Sequence, residues 1–198
     1  MAIRNFFERD DLIEKFNLEH LGRSASMFDT DKLLALNSKH IQKKTPEELA
    51  GPLLFHLHTL GIDAKNDGFT QGVIQTLQPR SKTLVEMAQA AVFYYQDNLK
   101  FDEKAVKKFL KKDIAAVLEK SADYIEGLEK YTQEALETIF KKIMEETNLK
   151  FGKIAQPLRV AITGTTISPG IFEMLIALGK DKTVQRIKSA IQLIQNKE

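Results

Sequence analysis

Residues 132–147 read TQEALETIFKKIMEET, and apolar side chains recur in this stretch at the spacing of an α-helix. Leu136, Ile139, Phe140 and Ile143 share one helical face, while charged residues occupy the other. The same period recurs in about ten short segments along the chain, and no pair of segments shows the alternation typical of paired strands. The sequence therefore predicts an all-α fold.

Helix-start signals delimit several of these segments. Thr45-Pro46-Glu47-Glu48 combines a capping threonine, a proline at the first helical position and a glutamate at the third, and the helix it starts should stop at Gly61. Asp29 and Asp102 also stand where they can cap a following helix. We expect the helix after Asp102 to run unbroken over residues 103–120.

Two prolines near the C-terminus predict interruptions. Pro157 should break its segment after the first turn at most and leave a short helix at residues 158–162, because proline cannot donate a helical hydrogen bond. Ser168-Pro169-Gly170 should open the next helix, with Pro169 at its first position.

Composition excludes several classes of protein. The chain has 198 residues, of which 43% are hydrophobic and 28% charged, so it fits one ordinary domain or two small ones rather than a disordered chain. No apolar stretch approaches the roughly 20 residues of a membrane span, and the N-terminus lacks a signal-peptide pattern. We therefore expect a cytoplasmic protein without a membrane partner. The absence of cysteine excludes disulfides, iron–sulfur clusters and cysteine nucleophiles.

The net charge of +2 conceals an uneven distribution. Residues 98–112 hold six lysines against two acids, a net charge of +4, whereas residues 119–147 carry a net charge of −4. Such alternation can place positive charge on one side of a molecule and is compatible with a phosphate-bearing partner. The lysine-rich segment is also the expected boundary between two helical modules, at residues 1–100 and 101–198.

The sequence offers little that could carry catalysis. His56 and His58 lie two residues apart on a predicted helix, so their side chains point about 200° apart and cannot hold one metal ion together. Residues 164–170 contain two glycines, but no lysine follows Gly170 as it would in a phosphate-binding P-loop. We predict no catalytic residue, no cofactor-binding residue and no metal site.

Residues 151–188 concentrate turn formers and hydroxyl groups between two predicted helices. Gly164, Pro169 and Gly170 accompany Thr163, Thr165, Thr166 and Ser168 there. A shaped loop that leads into a helix start exposes backbone N–H groups, which can bond phosphates or unstacked bases. A plain connection between two helices is the alternative that these residues leave open.

Residues 150–175, KFGKIAQPLRVAITGTTISPGIFEML, are followed by Leu178-Gly179-Lys180. This stretch closely resembles the C-terminal anticodon-binding region of bacterial glutamyl-tRNA synthetases. Residues 11–19 and 28–33 are similar to the segment that follows the catalytic domain in that family. The resemblance implies a helical bundle at residues 1–100 and a helical anticodon-binding cage at residues 101–198.

For function, the resemblance implies the tRNA-binding portion of an enzyme that ligates glutamate to its tRNA with ATP and Mg²⁺. The family's HIGH and KMSKS motifs do not occur in this sequence. We therefore expect this portion, as a monomer, to bind glutamate-accepting tRNA rather than DNA, without catalysis and without a cofactor of its own. The main alternative is a stand-alone helical protein–protein interaction module whose lysines only aid solubility.

The resemblance also assigns individual residues. Arg80 matches the arginine that reads the third anticodon base, and Arg159 matches an arginine near the first base. Ser168, Pro169 and Ile171 match the loop that encloses the first and second bases. The clustered positive charge adds candidate phosphate contacts at Lys104, Lys107, Lys108 and Lys111. Without the resemblance, Arg159 could equally bond a helix-end carbonyl, and Arg80 could cap a helix or pair with a carboxylate.

Overall fold

A computed structural model describes residues 7–20 and 27–196, and this part of the chain is built from α-helices and two 3₁₀ turns, without strands. The prediction of an all-α fold is confirmed. The helices, in chain order, are α1 (Arg9–Lys15), α2 (Thr30–Lys43), α3 (Pro46–Thr59), α4 (Gly68–Leu77), α5 (Leu84–Tyr95), α6 (Glu103–Phe109), α7 (Lys112–Glu126), α8 (Gln133–Thr147), α9 (Phe151–Thr163), α10 (Ile171–Leu178) and α11 (Lys180–Gln195). The 3₁₀ turns are Leu18–His20 and Gln78–Arg80.

The predicted caps of α2 and α3 are confirmed. The Thr45 hydroxyl accepts a hydrogen bond from the Glu48 N–H at 3.3 Å, and the Glu48 carboxylate accepts one from the Thr45 N–H at 2.8 Å. The Asp29 carboxylate accepts from the Lys32 N–H at 3.0 Å. Each cap satisfies N–H groups that the first turn of a helix leaves without a partner.

The expected single helix over residues 103–120 is wrong, because the chain breaks at Leu110 between α6 and α7. Asp102 does cap α6, through the Ala105 N–H at 2.7 Å, but Leu110 leaves helical geometry with φ −105° and ψ 71°. The Leu110 side chain is buried in the core. The break lets α6 pack against α9 while α7 packs along α8, α9 and α11. No glycine or proline marks this position, so the sequence pattern does not reveal it.

The expected break at Pro157 is also wrong, since α9 runs through this residue without interruption. Pro157 cannot donate to the carbonyl four residues earlier, which costs the helix one hydrogen bond. Ile154, Leu158 and Pro157 itself are buried, and their packing holds the helix together. The following helix, α10, begins at Ile171 with Gly170 as its N-cap, so Pro169 lies before the helix and not at its first position.

One hydrophobic core connects the helices from α2 to α11. Helices α3, α4 and α5 pack on one another, α10 packs against α4, and α11 packs along α7 and α9. The division into modules at residue 100 stays a prediction. In the described ranges, no helix is both long and apolar enough to cross a bilayer.

Candidate nucleic-acid interface

The loop between α9 and α10, residues 164–170, is attached to the connection between α5 and α6. Gly164 ends α9 with a φ of +77°, and its carbonyl accepts a hydrogen bond from the Asp102 N–H at 2.9 Å. A Cβ atom at residue 164 would lie 2.3 Å from the Lys100 carbonyl oxygen. Only glycine combines this positive φ with such a close approach of two backbones.

Threonine hydroxyls fix the course of the loop beyond Gly164. The Thr163 hydroxyl donates to the Arg159 carbonyl at 2.9 Å and accepts from the Thr165 N–H at 3.1 Å. The Thr165 hydroxyl donates to the Ile167 carbonyl at 3.0 Å. These local bonds take the place of the helical ladder, so the loop has a defined shape.

Two arginines from distant parts of the chain converge on this loop. Arg80 Nη1 donates to the Ser168 carbonyl at 2.9 Å, and Arg159 Nη1 donates to the Pro169 carbonyl at 2.7 Å and to the Ser168 hydroxyl. Arg80 is exposed, whereas Arg159 is half-buried. Burial, and then the positive charge of Arg80, lower the pKa of Arg159. Two cations held beside one loop create a positive potential that favours an anionic ligand.

A groove of about 540 Å³ lies between α5 and the loop, beside the arginine pair. Arg80, Ser168 and Pro169 line this groove together with Gln96 and Lys100, and we call it the arginine-lined groove after Arg80. A second groove, of about 830 Å³, lies between α6 and the same loop, and Lys104 and Lys108 line it. The lysine-rich segment and the α9–α10 loop therefore meet in the folded chain, although more than fifty residues separate them in sequence.

A family model described as anticodon binding domain matches residues 23–191 of this chain. The chain belongs to the anticodon-binding domain family. It is 48% identical over 192 residues to a glutamate–tRNA ligase from Desulfosudis oleivorans, covering 97% of this chain and 41% of that protein. It is 42% identical over 189 residues to a glutamate–tRNA ligase from Geotalea uraniireducens, covering 96% of this chain and 40% of that protein.

Among solved structures, a glutamate tRNA ligase from Elizabethkingia meningosepticum superposes with a TM-score of 0.84 at 22% identity, over 93% of this chain and 36% of that chain. This likeness shows the fold. The chain spans about two-fifths of the length of the curated relatives it matches. Together the matches confirm the resemblance to the anticodon-binding part of glutamate–tRNA ligases.

Within this anticodon-binding domain, four of the five residues assigned by resemblance lie together. Arg80, Arg159, Ser168 and Pro169 share hydrogen bonds, but Ile171 begins α10 with its side chain buried, 5% exposed, in the core. Their roles in reading bases stay a prediction. Arg159 also bonds a carbonyl, that of Pro169, but this carbonyl lies in the loop before α10 and not at the end of a helix, as the alternative expected.

The candidate phosphate contacts divide into two pairs. Lys104 and Lys108 line the groove beside the α9–α10 loop, whereas Lys107 and Lys111 are exposed but do not line it. All four lie on or directly after the short helix α6. Their contact with phosphate stays a prediction.

Arg186 is a structural residue of the site that sequence reasoning missed. Its side chain is 4% exposed, and its guanidinium donates to the carbonyls of Ile162 at 2.7 Å and of Phe93 and Gln96 at 2.6 Å. These carbonyls belong to the C-terminal ends of α9 and α5, where helix carbonyls lack partners and the helix dipole favours a cation. Burial lowers the pKa of Arg186 to about 10, which still leaves it charged at neutral pH.

Arg186 therefore joins the two helices whose ends form the walls of the arginine-lined groove. The sequence feature that could have identified Arg186 is its place in the apolar stripe of α11. It lies three residues after Thr183 and next to Ile187, both of which are buried. A basic residue at such a position indicates a buried set of carbonyl acceptors rather than a solvated surface.

The histidines do not form a metal site in the described part of the chain. His58 Nε2 lies 3.2 Å from the Ala64 carbonyl, and His56 makes an edge-on contact with Phe55. In residues 7–20 and 27–196, no three histidine or carboxylate side chains come close enough together to hold a metal ion.

Proposed function

We propose that this chain is the tRNA-selecting part of a glutamate–tRNA ligase and that it binds the anticodon loop of a glutamate-accepting tRNA. The observation that carries this proposal is the convergence of Arg80 and Arg159 on Ser168 and Pro169, beside a groove open to solvent. Unstacked bases of an RNA loop are recognised by hydrogen bonds to their edges and by stacking on planar side chains. The guanidinium groups of Arg80 and Arg159 provide hydrogen-bond donors for base edges and planar surfaces for stacking.

The resemblance that assigns Arg80 to the third anticodon base also implies a preference for cytosine over guanine there, and the donor chemistry of Arg80 is compatible with that preference. A guanidinium has five N–H donors in a fixed fork, and the bond to the Ser168 carbonyl uses one of them. The pairing edge of cytosine presents two adjacent acceptors, O2 and N3, which match the fork. Guanine presents N1–H and N2–H donors at the same place, which a guanidinium repels. Arg80 would therefore favour cytosine over guanine.

The proposal for the whole protein is ligation of glutamate to tRNA in the cytoplasm, with ATP and Mg²⁺. The described residues offer no carboxylate cluster that fits Mg²⁺, so we derive no catalytic step from this chain. Its part is selection, in which lysines hold the phosphates and the arginine-lined groove reads bases. A monomer suffices for this task, because both arginines and the loop come from one chain.

Binding of anticodon stem-loops at several salt concentrations tests this function. We expect the chain to bind a stem-loop whose anticodon ends in cytosine more tightly than one that ends in guanine. The logarithm of the affinity should fall linearly with the logarithm of the salt concentration, with a slope of roughly −0.7 for each phosphate neutralised on a single strand. Absence of binding, or equal affinity for both RNAs, would contradict the proposal. A helical protein–protein module would show neither the preference nor the slope.

A further inference from the structure

We propose that the groove between α6 and the α9–α10 loop is a second nucleotide site, separated from the arginine-lined groove by Ile167. It would take an unstacked nucleotide that flanks the anticodon triplet. This inference rests on the function proposed above and adds a site that the match to anticodon-binding residues does not assign.

Ile167, together with Thr165, forms the wall that the two grooves share. Its side chain is 87% exposed at the tip of the loop, and it lines both grooves. A single exposed isoleucine is ordinary on a protein surface. Here the Thr165 hydroxyl donates to the Ile167 carbonyl and fixes the backbone at this position, and the side chain lines the two grooves. An apolar side chain in this position offers a contact surface to a base on either side.

The second groove combines an aromatic ring with positive charge. The Phe109 ring is half-buried in its lining, and Lys108 Nζ lies 5.1 Å from the centre of that ring. Lys104 supplies a second cation. Asp102 also lines the groove, but its carboxylate accepts from the Ala105 N–H at 2.7 Å as the cap of α6. A flat apolar surface beside two ammonium groups matches a base that stays attached to its phosphate.

Size and rigidity also fit a nucleotide. The groove is open to solvent and has a volume of about 830 Å³, within the range of about 300–1,000 Å³ typical of sites for small molecules. Its two sides are joined by the hydrogen bond between the Asp102 N–H and the Gly164 carbonyl. The groove is therefore formed before RNA binds, which reduces the ordering cost of binding.

We assign a flanking nucleotide to this groove because the three anticodon bases are already assigned to other residues. The resemblance places all three anticodon bases on residues of the arginine side, namely Arg80, Arg159 and the loop from Ser168 onwards. The groove beyond Ile167 lies next to these residues and continues the same surface. A single RNA strand bound in the first groove would therefore present a neighbouring nucleotide to the second.

Ile167→Ala tests this site, with Ile176→Ala as a matched control on α10, where the residue is 38% exposed and lines neither groove. Binding is measured to an intact anticodon stem-loop and to a series in which each loop nucleotide in turn is abasic. We expect Ile167→Ala to weaken binding of the intact RNA about 5-fold or more, the low end of a lost base contact, while Ile176→Ala has no effect. The loss should become smaller when a flanking nucleotide is abasic, because only the contact on the side of the arginine-lined groove then remains.

Phe109→Leu separates the second groove from the first, because Phe109 does not line the arginine-lined groove. The loss of RNA affinity caused by Phe109→Leu should vanish with the RNA that is abasic at the flanking nucleotide. It should persist with RNAs that are abasic at positions of the triplet. A thermal melt checks that the variant folds. The second site is overturned if Ile167→Ala and Phe109→Leu both bind like the wild type. It is also overturned if their losses of affinity change only with RNAs that are abasic at positions of the triplet. That result leaves the proposed function standing if the wild type still prefers cytosine. If the wild type binds no stem-loop, the proposed function fails first.

Discussion

At the scale of single residues, Arg80 provides the sharpest test of base reading. Arg80 is exposed and donates to the Ser168 carbonyl, 88 residues away in sequence. Arg80→Gln should weaken binding to a stem-loop whose anticodon ends in cytosine by about 1–3 kcal/mol, the typical value of a good bidentate base contact. On the RNA that ends in guanine, the loss should be smaller or reversed, since a repulsive donor pair is removed. Fluorescence anisotropy titrations at one salt concentration measure the affinity for each of the two RNAs.

Lys82→Gln is the control for Arg80→Gln, because Lys82 is an exposed cation two residues further along the chain. It should leave the preference between the two RNAs unchanged. The melting temperature of Arg80→Gln should fall little, since the lost hydrogen bond contributes about 1 kcal/mol at an exposed position. Equal losses on both RNAs with a large fall in melting temperature would assign Arg80 a structural role instead.

At the scale of secondary-structure elements, Gly164 fixes the loop to the α5–α6 connection. Gly164→Ala should destabilise the fold by about 2–4 kcal/mol, because it adds a clash with the Lys100 carbonyl to the cost of a positive φ. It should also weaken RNA binding, since both grooves border this contact. Chemical denaturation and stem-loop titration are the two measurements.

Gly61→Ala is the control for Gly164→Ala, because it carries the cost of a positive φ without the clash. Gly61 has a φ of +76°, almost the same as the +77° of Gly164, but a Cβ atom there would meet nothing within 4 Å. Its cost should be about 1–2 kcal/mol, from the left-handed backbone alone, with RNA binding unchanged. Equal effects of the two substitutions would show that the approach to Lys100 does not matter.

The elements also show how far the sequence could predict this structure. The caps at Asp29, Thr45 and Asp102 were predictable because capping depends on residues only three positions apart. The break at Leu110 and the unbroken helix through Pro157 were not, because packing against other helices decides both.

In the site, resemblance selected four of the residues that meet, but spacing could not show that Arg80 reaches Ser168. That contact depends on the packing of α4 against α10, which only the folded chain reveals. Ile171 shows the converse case. It belongs to the matching loop, yet its place at the start of α10 turns its side chain into the core.

At the scale of the whole molecule, the uneven charge predicts how affinity depends on salt. Residues 98–112 carry a net charge of +4, and Lys107 and Lys108 lie there on α6. Reversing both charges, with Lys107→Glu and Lys108→Glu together, should weaken binding of every stem-loop by a similar factor and flatten the dependence on salt. Titrations at several salt concentrations measure the slope.

A matched double variant, Lys130→Glu and Lys141→Glu, changes the net charge equally within the acidic stretch of residues 119–147. Both lysines are exposed, so the fold should tolerate the change. We expect this variant to lose less RNA affinity and to leave the salt dependence of the affinity almost unchanged. If both double variants flatten the slope alike, net charge rather than the position of the lysines governs binding.

The buried guanidinium of Arg186 makes the order of synthesis matter to the site. Arg80, Arg159 and Ser168 are all translated before residue 186, but the ends of α5 and α9 gain their shared partner only when α11 docks. During translation, the RNA-binding surface therefore matures after its own residues have been made. A nascent chain that stops short of α11 would hold the residues of the arginine-lined groove and lack the brace that aligns them, so it should not compete for tRNA before synthesis has passed this helix.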